Sequence, residues 1–365
     1  MVLELRGRVL LDDERETDRV WVVGGRFTLD RPARVDDVLE GWVLPGLVDV
    51  HCHVGLAADG PVDRATARAQ ALADRDSGVL LVRDAGSPSD TSWVHDDDEL
   101  PRLVRSGTHL ARPKRYLRHY GRELADPEDL ATAMAEEAAR GDGWVKVVAD
   151  WIDRDLGADG DLRPLWTDAQ LAKGVAAAHE AGARVTAHVF STEAVPGLLA
   201  AGIDCIEHGT GLTPEQVEEV VERGIPVTPT LLQVGQFDQI AAQGEAKFPR
   251  FAARMRAMHE RRRTHVRELF EAGVQLLVGT DAGGTIEHGQ IAAECAEMVR
   301  AGVPASEVVA AASWRTRAWL GFASIAEGAP ADAVVLAADP RADIAALRAP
   351  EAVVLRGTVW TPLAR

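Results

Sequence analysis

The stretch WVLPGLVDVHCHVGL, residues 42–56, closes a Val- and Leu-rich run with two histidines one residue apart. Alternate side chains of an extended strand share a face, so His51 and His53 are expected to point one way and Cys52 the other. Two imidazoles aimed at one place suit a divalent metal, although a His-x-His pair also occurs as ordinary polar residues at a strand end. Further candidate ligands recur at equivalent places. Lys146 in GWVKVVAD, His188 in RVTAHVF, His208 in DCIEHG and Asp281 in VQLLVGTDAG each lie in or at the end of a short apolar run. Buried polar groups cost free energy unless they are paired, and sharing a metal satisfies all six together. Each has a plainer reading when taken singly: His188 as a hydrogen-bonded core histidine, Asp281 before AGG as a turn or helix-capping residue. Lys146, between Val145 and Val147, is the most telling. A lysine buried without a partner is expensive, whereas one carbamylated by carbon dioxide becomes an anionic ligand able to bridge two cations. His95, His109, His259 and His265 sit in charged segments and are expected to be solvated, with His179 near a helix C-terminus at the surface.

Holding six such groups together requires a repeating scaffold. The 365 residues suffice for one large core, with or without a small satellite. Eight apolar runs, at 46–53, 78–86, 108–117, 143–150, 184–190, 204–209, 225–232 and 274–283, alternate with Ala-, Glu- and Arg-rich amphipathic stretches, as βα units do. Pro113 interrupts the third run. Between them DPEDLATAMAEEAARG offers Asp126 as an N-cap and Gly141 as a terminator, and TPEQVEEVVERG offers Thr213 and Gln216 as a capping box. The pattern predicts an α/β fold, a (β/α)8 TIM barrel over 46–323, and the candidate ligands fall at the C-terminal strand ends where such barrels carry their active sites. Residues 1–45 and 324–365 have β texture at both chain ends and are expected to pair with each other.

A formal charge of −17 argues against a nucleic-acid binder, which needs clustered cations to meet phosphate. Cys52, Cys205 and Cys295 are far apart with no C-x-x-C pair, so no disulfide framework is expected and a reducing cytoplasm fits. No run approaches the roughly 18 apolar residues of a membrane span, and the first residues lack a signal-peptide core. A small-molecule or short-peptide substrate, with no membrane partner, is the resulting expectation; a homo-oligomer is compatible with it.

The motifs PGLVDVHCHVG, GWVKVVAD, RVTAHVF, GIDCIEHGTGL, VGTDAGG, EHGQIAAECAEMVRAGVPASEVVAAAS and EGAPADAVVLAADPRADIAAL span nearly the whole chain. Together they resemble the amidohydrolase superfamily, metal-dependent hydrolases on a (β/α)8 barrel with a small β-sandwich formed by both chain ends. The lysine of the fourth run and the IEHG of the sixth look like the imidazolonepropionase-related branch, which includes binuclear prolidase-like enzymes and carboxypeptidases releasing arginine or lysine. That resemblance implies that His51 and His53 bind one zinc with Asp281, that His188 and His208 bind a second, and that a carboxylated Lys146 bridges them. Two such cations activate a shared hydroxide at neutral pH, and Asp281 relays its proton to the leaving amine. The implied reaction cleaves an amide bond in a dipeptide, an N-acyl amino acid or a peptide-derived metabolite.

Three departures bear on this. A GGH loop of the relatives is replaced by RYLRHYGRE, their SGG after the lysine by ADWIDRD, and their T-x-N-A-A by SWRTRAW. Arg118, His119, Tyr120, Trp151 and Arg154 are therefore the candidate substrate contacts, an arginine there being able to hold a carboxylate through paired hydrogen bonds. Two rival readings stand beside this one. The first is a mononuclear deaminase or cyclic-amide hydrolase using His51, His53, His188 and Asp281, with Lys146 an ordinary amine; the second is a non-catalytic relative that keeps the fold for binding.

Overall fold

The computed structural model describes residues 2–362. The chain ends pair as the β texture suggested, in one seven-stranded sheet ordered Thr358–Trp360, Ala352–Leu355, Ala333–Leu336, Asp37–Pro45, Val2–Leu10, Glu16–Val23, Arg26–Thr28. Asp37–Pro45 joins the two ends, running parallel to Val2–Leu10 and antiparallel to Ala333–Leu336. The alternating Leu3, Leu5 and Val9 bury one face against Val335, Val354 and Phe27. Gly7 and Gly41 are register partners in the parallel pair, and a Cβ on Gly7 would lie 2.3 Å from the Gly41 carbonyl oxygen. Only glycine permits that approach.

The rest of the chain is a mixed α/β unit built on parallel strands. Leu47–Cys52, Val79–Asp84 and Arg102–Arg105 form one three-stranded sheet. Arg122–Glu123, Leu110–Ala111, Trp144–Val148, Arg184–Val189, Cys205–His208 and Val227–Thr228 form a six-stranded one. The chain passes from the first sheet to the second through residues 106–109. On the far side, single parallel bridges Val227↔Leu276 and Cys52↔Ala282 set the segment 276–282 between Val227–Thr228 and Leu47–Cys52.

Eight regular strands in one uninterrupted ladder are therefore not what these pairings form. The run 108–117 contributes only Leu110–Ala111, and 225–232 only Val227–Thr228. Pro113 follows the first closely, and Pro226 and Pro229 flank the second, each lacking the N–H a ladder needs. At 274–283 the N–H of Leu277 and Asp281 donate to the Val227 and His51 carbonyls, but Thr280 finds another partner. Asp49, inside Leu47–Cys52, accepts from Thr280 N at 3.1 Å, Thr280 Oγ1 at 2.6 Å and His51 N at 3.0 Å. A side chain thus replaces ladder bonds where the last segment meets the first strand.

Helices cover the strands as the amphipathic stretches required. Leu171, Val175 and Ala178 of Asp168–Glu180 pack on Val185, Ala187 and Val189 of the strand that follows. Thr213 and Gln216 form the expected capping box of Pro214–Glu222, and Leu130–Arg140 stops at Gly141. Asp126 caps the short turn Pro127–Asp129 before that helix rather than the helix itself. The stretch 305–322 divides into Ala305–Ala311 and Trp314–Trp319 at Ser313, whose hydroxyl donates to the Pro45 carbonyl at 2.7 Å.

Candidate metal centre

Leu47–Cys52 carries His51 at its end and His53 just beyond it. Nε2 of each lies 3.1 Å from Oδ1 of Asp281. Cys52 turns away, its sulfur grouping with Asp74 and His288, so the alternation expected of the strand holds. His188 and His208 close Arg184–Val189 and Cys205–His208, neighbouring strands of the six-stranded sheet. Their Nδ1 and Nε2 atoms are 3.1 Å apart. The ring of His208 lies 5.1 Å from that of His51 and 4.8 Å from that of His188, centroid to centroid. Lys146, buried in Trp144–Val148, rests its Nζ against Oε2 of Glu207, which is also 3.7 Å from Nδ1 of His51. All six expected residues are thus gathered at one end of the strands.

Hydrogen bonds from outside the cluster fix two of the rings. Nδ1 of His53 donates to the Gly86 carbonyl at 2.6 Å, and Nδ1 of His208 is bonded to Thr230 Oγ1 at 2.6 Å, leaving Nε2 of each turned inward. Nδ1 of His51 and Nε2 of His188 are buried with no hydrogen-bond partner among the described residues. Such orphaned nitrogens are costly unless a further ligand satisfies them. Burial holds His51 and His188 well below the usual histidine range and lowers His208 to about 3, so the rings are neutral. Neutral imidazole is the form that coordinates a cation. Burial would raise Asp281, but His51 and His53, whose Nε2 atoms lie beside its Oδ1, outweigh it and hold the carboxyl well below its ordinary range. Four imidazoles around an ionised carboxylate are a donor set that fits a divalent metal. His208 and Asp281 both have left-handed backbones, φ 65° and 59°, a strain of the kind found where a side chain must be aimed.

Over this cluster lies a cavity of about 560 Å³, to which His53, His188 and Asp281 contribute. Tyr120, Trp151 and Arg154, expected as substrate contacts, line it, and Phe190, Phe251 and Met255 supply an apolar wall. Arg118 and His119 do not reach it; they line a neighbouring groove.

Residues 42–359 match the amidohydrolase family. The chain belongs to that family. As an amidohydrolase it is a hydrolytic enzyme acting on C–N bonds, and members of the family typically use divalent metals. An uncharacterized protein of Mycobacterium tuberculosis is 48% identical over 361 residues, covering 99% of this chain and 96% of its own. Among solved structures, a Xaa-Pro dipeptidase with methionine bound in its active site superposes with a TM-score of 0.85 at 21% identity, over 99% of this chain and 100% of that one. A prolidase complexed with N-methylphosphonate-L-proline gives 0.82 at 22%, over the whole of both chains. At those identities the two structures speak for the fold alone.

The amidohydrolase also buries groups that its sequence did not single out as functional. His109, expected in solvent, is fully buried and stacks on His53 with centroids 4.9 Å apart, both its nitrogens without a hydrogen-bond partner among the described residues. It lies in the connection 106–109, directly before Leu110–Ala111, and faces inward rather than into solvent. His265, likewise expected in solvent, is buried and donates from Nε2 to the Gly209 carbonyl at 2.9 Å, bracing the turn after His208. Beneath Lys146, Glu207 meets Arg83 Nη2 at 3.2 Å and Thr186 Oγ1 at 2.8 Å, while Arg83 Nε donates to the Val50 carbonyl at 2.7 Å. Two opposite charges inside the apolar runs LLVRD and CIEH were the available signal. Removing one partner of a buried pair leaves the other uncompensated. Arg83→Met is therefore expected to lower the unfolding free energy by roughly 3 kcal/mol or more. Urea denaturation checks this, and a loss below about 1 kcal/mol would contradict it.

Proposed function

We propose that this amidohydrolase is a binuclear metal-dependent enzyme that cleaves an amide bond in a dipeptide, an N-acyl amino acid or a peptide-derived metabolite. The convergence of donor atoms from His51, His53 and Asp281 within 4.8 Å of one another carries the reading. Residues 46–323, with the two parallel sheets as arcs of one (β/α)8 barrel, hold the centre, and 1–45 with 324–365 make the composite β-sandwich beside it. His51 and His53 hold one ion with Asp281, and His188 and His208 hold the other; the nitrogen and oxygen donors suit zinc. When bound, two such cations supply Lewis acidity and make hydroxide available at neutral pH.

Lys146 takes part as a carbamate. Its neutral amine forms an N–C bond to carbon dioxide and releases one proton, and burial that lowers this amine to about 7 favours the neutral form. Asp281 accepts the proton of the attacking water and delivers it to the departing amine as the C–N bond breaks, so that water and amide become a carboxylic acid and an amine, which leave as carboxylate and ammonium. Tyr120 and Trp151 shape the cavity around the substrate, Arg154 faces its carboxylate, and Arg118 and His119 contact the substrate from the groove beyond. The reaction belongs to the cytoplasm.

One observation favours a second reading. Nζ of Lys146 rests against Glu207 as an ordinary ammonium would, which suits a mononuclear deaminase or cyclic-amide hydrolase.

The test is a panel of dipeptides and N-acyl amino acids assayed for amine release. Release is expected to stop after chelation and to return with zinc and bicarbonate. Turnover of cyclic amides or amino-heterocycles alone would support the second reading, and turnover untouched by chelation would overturn both.

A further inference from the structure

A groove of about 1290 Å³ opens beside the catalytic cavity and shares Tyr116, Leu117 and Arg154 with it. The segment after Leu110–Ala111 brings Arg112, Lys114, Arg115 and Arg118 to its wall, and Arg154 joins them from the segment after Asp150–Ile152. Glu123 and Asp155 are the carboxylates beside them. Five cations against two acids is an inverted balance in a chain of net charge −17.

Arginines elsewhere in the molecule commonly meet carboxylates, as Arg68 meets Asp97 and Glu99, and Arg256 meets Asp238 and Glu245. In the groove Arg115 does so, 3.1 Å from Asp153. Arg112, Lys114, Arg118 and Arg154 form no ion pair among the described residues. Arg112 donates instead to the carbonyls of Leu124 and Ala125 at 3.0 and 3.1 Å, and Arg154 to that of Lys114 at 3.1 Å. These bonds orient the guanidinium groups without neutralising them. Glu123 is turned to the backbone N–H of Lys114 at 3.2 Å rather than to a cation. Burial, then the proximity of Arg118 and Arg115, lowers Arg154 from its ordinary range, so these cations work against one another. The loop that presents them has left-handed backbone at Lys114 and His119, φ 61° and 66°. Mutual repulsion held in place by neutral carbonyls is an arrangement that an anionic ligand would relieve.

We propose that this groove is a second anionic subsite, and that the substrate is an amide bearing a carboxylate or phosphate group additional to the one facing Arg154, received by Arg112, Lys114 and Arg118. The proposal rests on the hydrolase reading above and narrows its substrate class to amides with two or more negative charges. A neutral or singly charged amide would leave the groove's charges unmet.

Isothermal titration of the metal-loaded protein tests this with two dianions, glutarate and glycerol 3-phosphate, against the monoanion butyrate. At low salt at least one dianion is expected to bind about tenfold or more tightly than butyrate, charge-assisted contacts being the stronger kind. A preference for one dianion names the source of the charge. In the combined Arg112→Gln, Lys114→Gln, Arg118→Gln variant the preference is expected to shrink to within about twofold. Should that variant fail to fold, Arg118→Gln alone, at an exposed residue with no ion pair among the described residues, is expected to reduce the preference at least about threefold. Equal wild-type affinity for dianions and monoanion, or a preference unaltered in a folded variant, would overturn the proposal. The hydrolase reading fails separately: a protein that prefers dianions but hydrolyses no amide keeps the groove and loses the reaction. One that hydrolyses neutral amides with no dianion preference does the reverse.

Discussion

Asp281→Asn is expected to lower turnover by about 10²- to 10⁴-fold, the usual worth of a positioned proton-transfer group, while leaving the fold in place. Asparagine has nearly the same shape, and the backbone N–H of residue 281 would still donate to the His51 carbonyl, now at 2.6 Å. What changes is the chemistry of the side chain. Oδ1 of Asp281 faces Nε2 of both His51 and His53 at 3.1 Å, and the carboxylate also opens onto the cavity, its side chain 16% exposed where the other ligands are nearly sealed. An amide can still offer one oxygen to a neighbour but cannot carry a proton from the attacking water to the leaving amine. Measured kcat and melting temperature separate these effects. A wild-type melting temperature with kcat reduced as stated is the expected pair, and wild-type turnover would remove Asp281 from the proton path.

Lys146→Ala is expected to release about one of two bound ions per chain and to lower turnover as well. Losing one partner from a buried charged cluster costs about 3–5 kcal/mol, which corresponds to about 10²- to 10⁴-fold in rate if it falls on the transition state. The same residue gives the reaction a pH signature. Carbon dioxide adds only to the neutral amine, and burial lowers Lys146 to about 7. Below that pH the ammonium predominates and pairs with Glu207; above it the free amine predominates. Recovery of the stripped enzyme by zinc and bicarbonate is therefore expected to slow as the pH falls through about 7, with prior carbamylation protecting activity once the centre has formed. Ion content equal to wild type in Lys146→Ala would mean that the lysine bridges nothing.

The clustering of these residues was legible in the sequence because they break local rules. A histidine, lysine or aspartate inside a Val- and Leu-rich run has no cheap place in a core, and a shared partner is a way to satisfy six of them together. The alternation of His51, Cys52 and His53 and the Thr213–Gln216 cap were legible for similar local reasons. Sheet continuity was not, because Pro226 and Pro229 lack ladder donors and the Asp49 side chain takes the donor of Thr280, which hydropathy does not record. His109 was misplaced because its charged neighbours in sequence are not its neighbours in space; its ring meets His53 and Tyr116 instead. Arg83 and Glu207 lie 124 positions apart, and their pairing depends on how the two sheets face each other. Of the expected substrate contacts, Arg118 and His119 fell in the groove rather than the cavity because Lys114 and His119 turn the loop through left-handed conformations that no residue pattern announced.

The most direct measurement is a count of divalent ions per chain, by elemental analysis of protein expressed with zinc and bicarbonate. A value near two is expected, since four histidines, Asp281 and a carbamylated Lys146 supply enough donors for a pair of ions but more than one tetrahedral ion requires. A value near one, unchanged in Lys146→Ala, would contradict the binuclear centre and leave Lys146 paired with Glu207.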